Sequence, residues 1–199
     1  LQGLNVTNIG CCSSPMMYYI ARDFGGNGII VTASHNPKSD NGIKWILKGE
    51  PPSPDTIQQV GLAAQFASEK IGKNTDLQEL SHHIIPEFCL KYQQSLLSDI
   101  QLLRPLKIVL DGLHGSAGHC AKQVLQNLGC EVIALRCEAN GHFPDHAPDP
   151  SHAAHLQQLQ ATIIAEKADM GIALDGDGDR VVLLDEQAQL RAALAEQNV

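Results

Sequence analysis

The sequence has no C-x-x-C pair, no apolar run approaching the roughly 18 residues of a membrane span, and no excess of basic charge. Each absence removes a class of function. Cys11, Cys12, Cys89, Cys120, Cys130 and Cys137 are scattered through apolar segments. They offer no zinc spacing and read as reduced core thiols of a cytoplasmic protein. No signal-peptide pattern opens the chain, and no membrane partner is expected. The 22 acidic residues outnumber 14 basic ones, for a formal net charge of −8, which speaks against nucleic acid as a partner. A local basic cluster could still hold an anionic small molecule. Nucleotide and hydrolase signatures are missing too. Gly112–Gly118 lacks the G-K-[ST] ending of a P-loop and does not fit G-x-G-x-x-G, and no G-x-S-x-G surrounds Ser34.

What is present is a globular composition: 199 residues, 43% apolar and 18% charged, enough for one large domain or two modest ones. Leu4–Ile9 alternates as a strand that Gly10 ends. Ser14-Pro15 opens a helix, with Pro15 at its first position, that carries Met16, Tyr19, Ile20 and Phe24 and closes at Gly25-Gly26. Gly28–Thr32 is short and continuously apolar, which predicts a strand buried on both faces of a parallel sheet. Residues 4–32 thus read strand–helix–strand. Asn41-Gly42 marks a turn before the apolar Ile43–Leu47, and Pro51-Pro52-Ser53-Pro54 feeds a helix at about 55–70. Ile85, Phe88, Tyr92, Leu96, Ile100 and Leu103 form an amphipathic stripe that Arg104-Pro105 stops. We place a domain boundary there, giving units 1–104 and 105–199.

The pattern then restarts. Lys107–Asp111 reads as a strand, Gly112–Gly118 as a glycine-rich loop, His119–Leu128 as a helix and Glu131–Arg136 as a strand, a crossover of parallel type. After the polar linker EANGHFPDHAPDPS come a helix near 151–166 and a strand at Asp169–Leu174. Val181–Leu184 and the turn Asp185–Ala188 predict a hairpin. Two α/β units in tandem follow.

Chemistry concentrates in ALDGDGDR, residues 173–180. Asp175, Asp177 and Asp179 alternate with glycines, so three carboxylates point into one small volume. Their repulsion is relieved most simply by a hard cation with oxygen ligands. A calcium-loop reading fails, because its sixth position needs glycine and holds Arg180, and because the flanks read as strands. Arg180 could grip a phosphoryl oxygen or pair with a neighbouring aspartate, and the two roles are compatible. The second candidate is Ser34, in TASHNP behind the apolar GIIV. Its hydroxyl lacks an activating partner in sequence, but the carboxyl end of a buried strand is where α/β ligands bind. A phosphate on it would add about −1.5 to −2 charges and would want a cation. Lys44, beyond the Asn41-Gly42 turn, could supply a positive charge or a proton. His114 and His119 read as surface or cap residues, His82-His83 as solvated, and His142 and His146 are given no chemistry.

These residues carry a resemblance. GIIVTASHNPKSDNGIKW resembles the phosphoserine loop of the α-D-phosphohexomutases, the phosphomannomutase/phosphoglucomutase family, and DGDGDR resembles that family's metal loop. LNVTNIG, SSPMMYYIAR, KIVLDGLHGSAG and FPDHAPDP resemble further family segments in the same order. The resemblance implies two tandem three-layer α/β/α domains with mixed, mainly parallel sheets, covering most of the family's first and second domains. It implies that Ser34 gives its phosphoryl group to a hexose phosphate and takes one back from the bisphosphorylated sugar. Ser34, Asp175, Asp177 and Asp179 would hold Mg²⁺, with glucose 1,6-bisphosphate or a similar bisphosphorylated sugar as activator. Arg180 would contact the transferring phosphate, and Lys44, supported by His35, would handle the proton. The substrate class would be a phosphorylated mannose or glucose, with phosphoglucosamine as the alternative. From another class, a non-catalytic metal-binding module stays open.

The resemblance also implies a truncated fragment that opens on Leu1 rather than Met. It would lack an upstream arginine, a sugar-reading loop and a phosphate clamp. Little mutase activity and some exposed apolar surface in the first unit are then expected.

Overall fold

The computed structural model describes residues 5–68 and 85–195. Helix α1 (Ser14–Ala21) begins where Ser13 accepts the Met16 N–H on its hydroxyl at 3.3 Å. The cap therefore falls one residue before Ser14-Pro15, and Pro15 sits in the first turn, where a missing N–H breaks no bond. Ser13→Ala is expected to cost about 1 kcal/mol in urea unfolding. A short 3₁₀ turn, Arg22–Phe24, and the left-handed Gly25 (φ 66°) close the helix, as its glycines predict. The strand expected at Leu4–Ile9 does not form over the described part. Residues 5–9 are irregular and Gly10 makes a single bridge. Val6 is 74% exposed, so alternation there meets no described strand or layer to bury against.

Strands β1 (Gly28–Val31) and β2 (Ile43–Ile46) pair antiparallel, from Gly28 opposite Ile46 to Val31 opposite Ile43. This corrects the reading of β1 as a doubly buried strand of a parallel sheet. Ile30 packs into the cluster around α1, whereas Ile29 and Val31 are 66% and 70% exposed. Hydrophobicity reports that a face prefers cover, not that a second layer covers it. The exposed apolar surface expected of the first unit is this face, with Ile43 beside it.

Helix α2 (Pro54–Ser68) follows the proline loop, and α3 (Pro86–Leu97) opens the rest of the chain. Phe88, Cys89, Tyr92 and Leu96 pack with α1 in the first core. The stripe predicts a helix that runs on to Leu103, but α3 ends at Leu97, and Ile100 and Leu103 stand exposed. The hydroxyls of Ser95 and Ser98 bond back to the Tyr92 and Ser95 carbonyls at 2.7 and 2.9 Å, and Ser98 also turns to Asp99. Such local bonds compete with further helical turns. His82-His83 lie outside the described residues.

Strand β3 (Lys107–Asp111), helix α4 (Gly118–Asn127), strand β4 (Glu131–Leu135), helix α5 (Gln157–Glu166) and strand β5 (Met170–Leu174) follow. The hairpin β6 (Arg180–Asp185) and β7 (Leu190–Ala195) completes the described fold. One mixed sheet orders them β4-β3-β5-β6-β7. β4, β3 and β5 run parallel, whereas β6 and β7 pair antiparallel. Val109, Leu159, Ile163 and Ala173 are fully buried between α5 and this sheet. Cys120 and Val124 of α4 join α1 and α3 in the other cluster, so α4 links the two parts.

The parallel order puts the ends of β3 and β5 at one edge, beside the linker. Beyond β4, Arg136 pairs with the buried Asp111 of β3, donating from Nε at 2.9 Å. Arg136 also bonds His146 Nε2 at 2.7 Å and the His155 carbonyl at 3.3 Å. His146, given no role on sequence, thus ties the linker to the sheet, and it stacks on His155 at 3.9 Å. The linker's Pro148 is thereby set against Gly176 of the acidic loop. All six cysteines are free thiols, and only Cys11 is not buried. Burial pushes the Cys12 thiol up to about 12, which leaves it protonated and unreactive. Among the described residues no helix is long and apolar enough to cross a membrane.

Candidate active site

The acidic loop leaves β5 at Leu174 and enters β6 at Arg180. Asp175 folds it: its carbonyl accepts the Gly178 N–H at 3.2 Å, and its Oδ1 accepts those of Asp179 and Arg180 at 3.1 and 3.2 Å. One oxygen from each of Asp175, Asp177 and Asp179 lies within 4.8 Å of the others. Two glycines permit this packing. A Cβ on Gly176 would sit 2.1 Å from the Ser34 carbonyl oxygen, and Gly178, at φ 72°, lies where a Cβ would meet that of Ala117 at 2.4 Å.

Ser34 belongs to the turn after β1 and holds a left-handed φ of 55°, costly for a residue with a side chain. Its N–H donates to Thr32 Oγ1 at 2.9 Å, and its hydroxyl donates to Asp175 Oδ2 at 2.9 Å. The turn and the acidic loop therefore meet directly across 141 positions of sequence. Lys44 Nζ reaches in from β2 to Asp177 Oδ2 at 2.8 Å and Asp179 Oδ2 at 2.5 Å. Arg180 bonds His35 Nδ1 and lies 3.8 Å from Asp179 Oδ1. All seven residues singled out on sequence converge: Ser34, His35, Lys44, Asp175, Asp177, Asp179 and Arg180.

Their charges are unevenly balanced. Burial, reinforced by Asp177 and Asp179, pushes the Asp175 carboxyl up to about 7. Burial also works to raise Asp177, but hydrogen bonds from Lys44 and Ser14 outweigh it and hold this carboxyl below the usual range. Burial opposes the Lys44 charge, yet the two aspartates win and keep the ammonium protonated. Asp177 Oδ1 and Asp179 Oδ1 are buried without a hydrogen-bond partner. Two orphaned carboxylate oxygens beside a third buried carboxyl suit a hard divalent cation with oxygen ligands.

Sequence reasoning missed two residues of the constellation. Ser14 and Thr32 both donate to Asp177 Oδ2. Both stand in distinctive segments, SSPMMYYIAR and TASHNP, but a hydroxyl carries no signal of its target until the fold is known. A cavity of about 570 Å³, lined by Cys11, Cys89, His119, Cys137 and Glu138 among others, shares no residue with the site.

The model of the phosphoglucomutase/phosphomannomutase α/β/α domain I matches residues 1–70, and that of α/β/α domain II matches residues 86–188. The chain belongs to the phosphoglucomutase/phosphomannomutase family. Within this family it is 38% identical to a phosphomannomutase/phosphoglucomutase of Pseudomonas aeruginosa, over 90% of this chain and 37% of that protein. It is also 38% identical to a phosphoglucosamine mutase of Citrobacter koseri, over 93% of this chain and 41% of that protein. The crystal structure of a phosphoglucomutase/phosphomannomutase family protein from Burkholderia thailandensis superposes with a TM-score of 0.77 at 33% identity. That match covers 94% of this chain and 42% of that one. The chain therefore spans about two fifths of the length of the relatives it matches. The mixed α/β architecture is that of these phosphoglucomutase/phosphomannomutase relatives.

Proposed function

We propose that this chain carries the phosphoryl-transfer half of a phosphohexomutase that interconverts hexose 6-phosphate and hexose 1-phosphate of mannose or glucose. The observation that carries the reading is the Ser34–Asp175 contact, which joins a serine on a strained turn to a buried carboxylate triad. In this reading Ser34 holds the phosphate. Asp175, Asp177 and Asp179 would hold Mg²⁺ beside that phosphate, and the ion would supply positive charge to offset the transferring group. Arg180, fixed by His35, offers its guanidinium to phosphoryl oxygens. Lys44, kept protonated between two aspartates, supplies charge first and gives up a proton only when those pairs part. The protein works in the cytoplasm on a phosphorylated hexose, with a bisphosphorylated sugar as activator.

Because the relatives are longer, we further propose that the 199-residue chain alone turns over little substrate. The likeness to a phosphoglucosamine mutase at equal identity keeps that sugar as a second substrate to assay. Incubating the purified chain with glucose 1,6-bisphosphate and Mg²⁺, then measuring intact mass, tests the proposal. A gain of one phosphate, located on Ser34 and lost in Ser34→Ala, is expected. An unchanged mass would leave the chain a metal-binding module without phosphoryl transfer.

A further inference from the structure

We propose that Ser14 and Thr32 are positioning residues that commit one oxygen of Asp177 to the protein and thereby present the other to the cation. The inference rests on the reading of the triad as a cation site. Ser14 is fully buried at the start of α1, and its Oγ donates to Asp177 Oδ2 at 2.6 Å. Its backbone N–H donates to the Asp177 carbonyl at 2.9 Å, so one residue grips both the backbone and the side chain of Asp177. Thr32 Oγ1 donates to the same Oδ2 at 3.1 Å while accepting the Ser34 N–H at 2.9 Å.

With Lys44 at 2.8 Å, Oδ2 has three donors, and Oδ1 has none. A carboxylate held this way cannot rotate to satisfy Oδ1 without giving up bonds at Oδ2. Its free oxygen is therefore held ready for an ion rather than found by search. The chemistry of the donors matters. A lysine beside the triad orients a carboxylate but also cancels charge that a cation needs. A hydroxyl orients it and leaves the charge in place. Thr32 adds a second link, because the hydroxyl that steadies Asp177 also steadies the backbone of Ser34. Ser13 caps α1, which leaves the Ser14 hydroxyl free to reach the acidic loop.

The test is Mn²⁺ binding to the purified 199-residue chain, followed by electron paramagnetic resonance, with thermal unfolding in EDTA measured alongside. Ser14→Ala and Thr32→Val are each expected to raise the Mn²⁺ Kd roughly tenfold, whereas Thr32→Ser, which keeps the hydroxyl, stays within about threefold of the unaltered chain. A purely structural role would lower the unfolding midpoint and leave the Kd of the folded variants unchanged, and that result overturns the inference. If Ser14→Ala does not fold, the Thr32→Val and Thr32→Ser pair decides by itself. An unaltered chain that binds no Mn²⁺ overturns the cation reading and, with it, the inference. Binding by the unaltered chain with unchanged variants overturns the inference alone.

Discussion

Lys44→Met is expected to destabilise the chain by about 3 kcal/mol in EDTA, and saturating Mg²⁺ is expected to restore most of the loss. The lysine lies between Asp177 and Asp179, whose side chains are only 3% and 9% exposed. Asp175, fully buried, completes the cluster. Without the ammonium, three carboxylates share one volume with no neighbouring lysine to offset them. Removing one partner of a buried ion pair costs about 3–5 kcal/mol, and the partial exposure of Lys44 places this case at the lower end. On the proposed reading, Mg²⁺ bound to the folded chain would supply the missing charge, so it should stabilise Lys44→Met more than the unaltered chain. Urea unfolding with and without Mg²⁺ measures both numbers. Equal stability of the two proteins in EDTA would show that the triad needs no compensation from Lys44.

The second large effect is expected in the pH profile. In EDTA, stability should fall by on the order of 3 kcal/mol as pH rises from about 5 to about 8. Asp175 has a folded pKa of about 7 against an ordinary value of 3.8, first because it is buried and then because Asp177 and Asp179 repel its charge. The folded chain thus keeps a proton that the unfolded chain has already lost. That contribution is fully present below the ordinary carboxylate range and vanishes as pH rises through about 7. Asp177, held low, runs the other way, but its contribution is lost only in acid below this window. Mg²⁺ should oppose the trend, since its ligands must be ionised and its affinity should climb with pH before levelling near 7. Thermal midpoints across this range, with and without Mg²⁺, provide the measurement. A profile in EDTA as flat as that of Asp175→Asn would remove Asp175 as the cause.

Much of the site was legible because its chemistry sits in short, unusual strings. Three aspartates spaced by glycines point to a compensating positive charge, most simply a cation, before the fold is known. No local rule spans the 141 positions between Ser34 and Asp175, so their contact was legible through chemistry, a phosphate wanting a cation, and through the resemblance. Ser14 and Thr32 escaped because a hydroxyl serves caps, turns and ligands alike. Similar reasoning sorts the fold. The α4 and α5 segments and the strands of the five-stranded sheet have flanking turns and local periodicity that agree with their burial. The segment at Leu4–Ile9, the two faces of β1 and the end of α3 depended on what packs beside them, and periodicity carries no record of a neighbour.

Among the described residues the β1–β2 pair has two strands and one uncovered face, too little to persist unaided. Yet it delivers Thr32, Ser34 and Lys44 to a loop anchored in the five-stranded sheet. That ribbon therefore has two supports, the α1 cluster that Ile30 joins and the bonds its residues make to the acidic loop. An ion or a phosphate joining the two loops would act as a clasp on the second support alone.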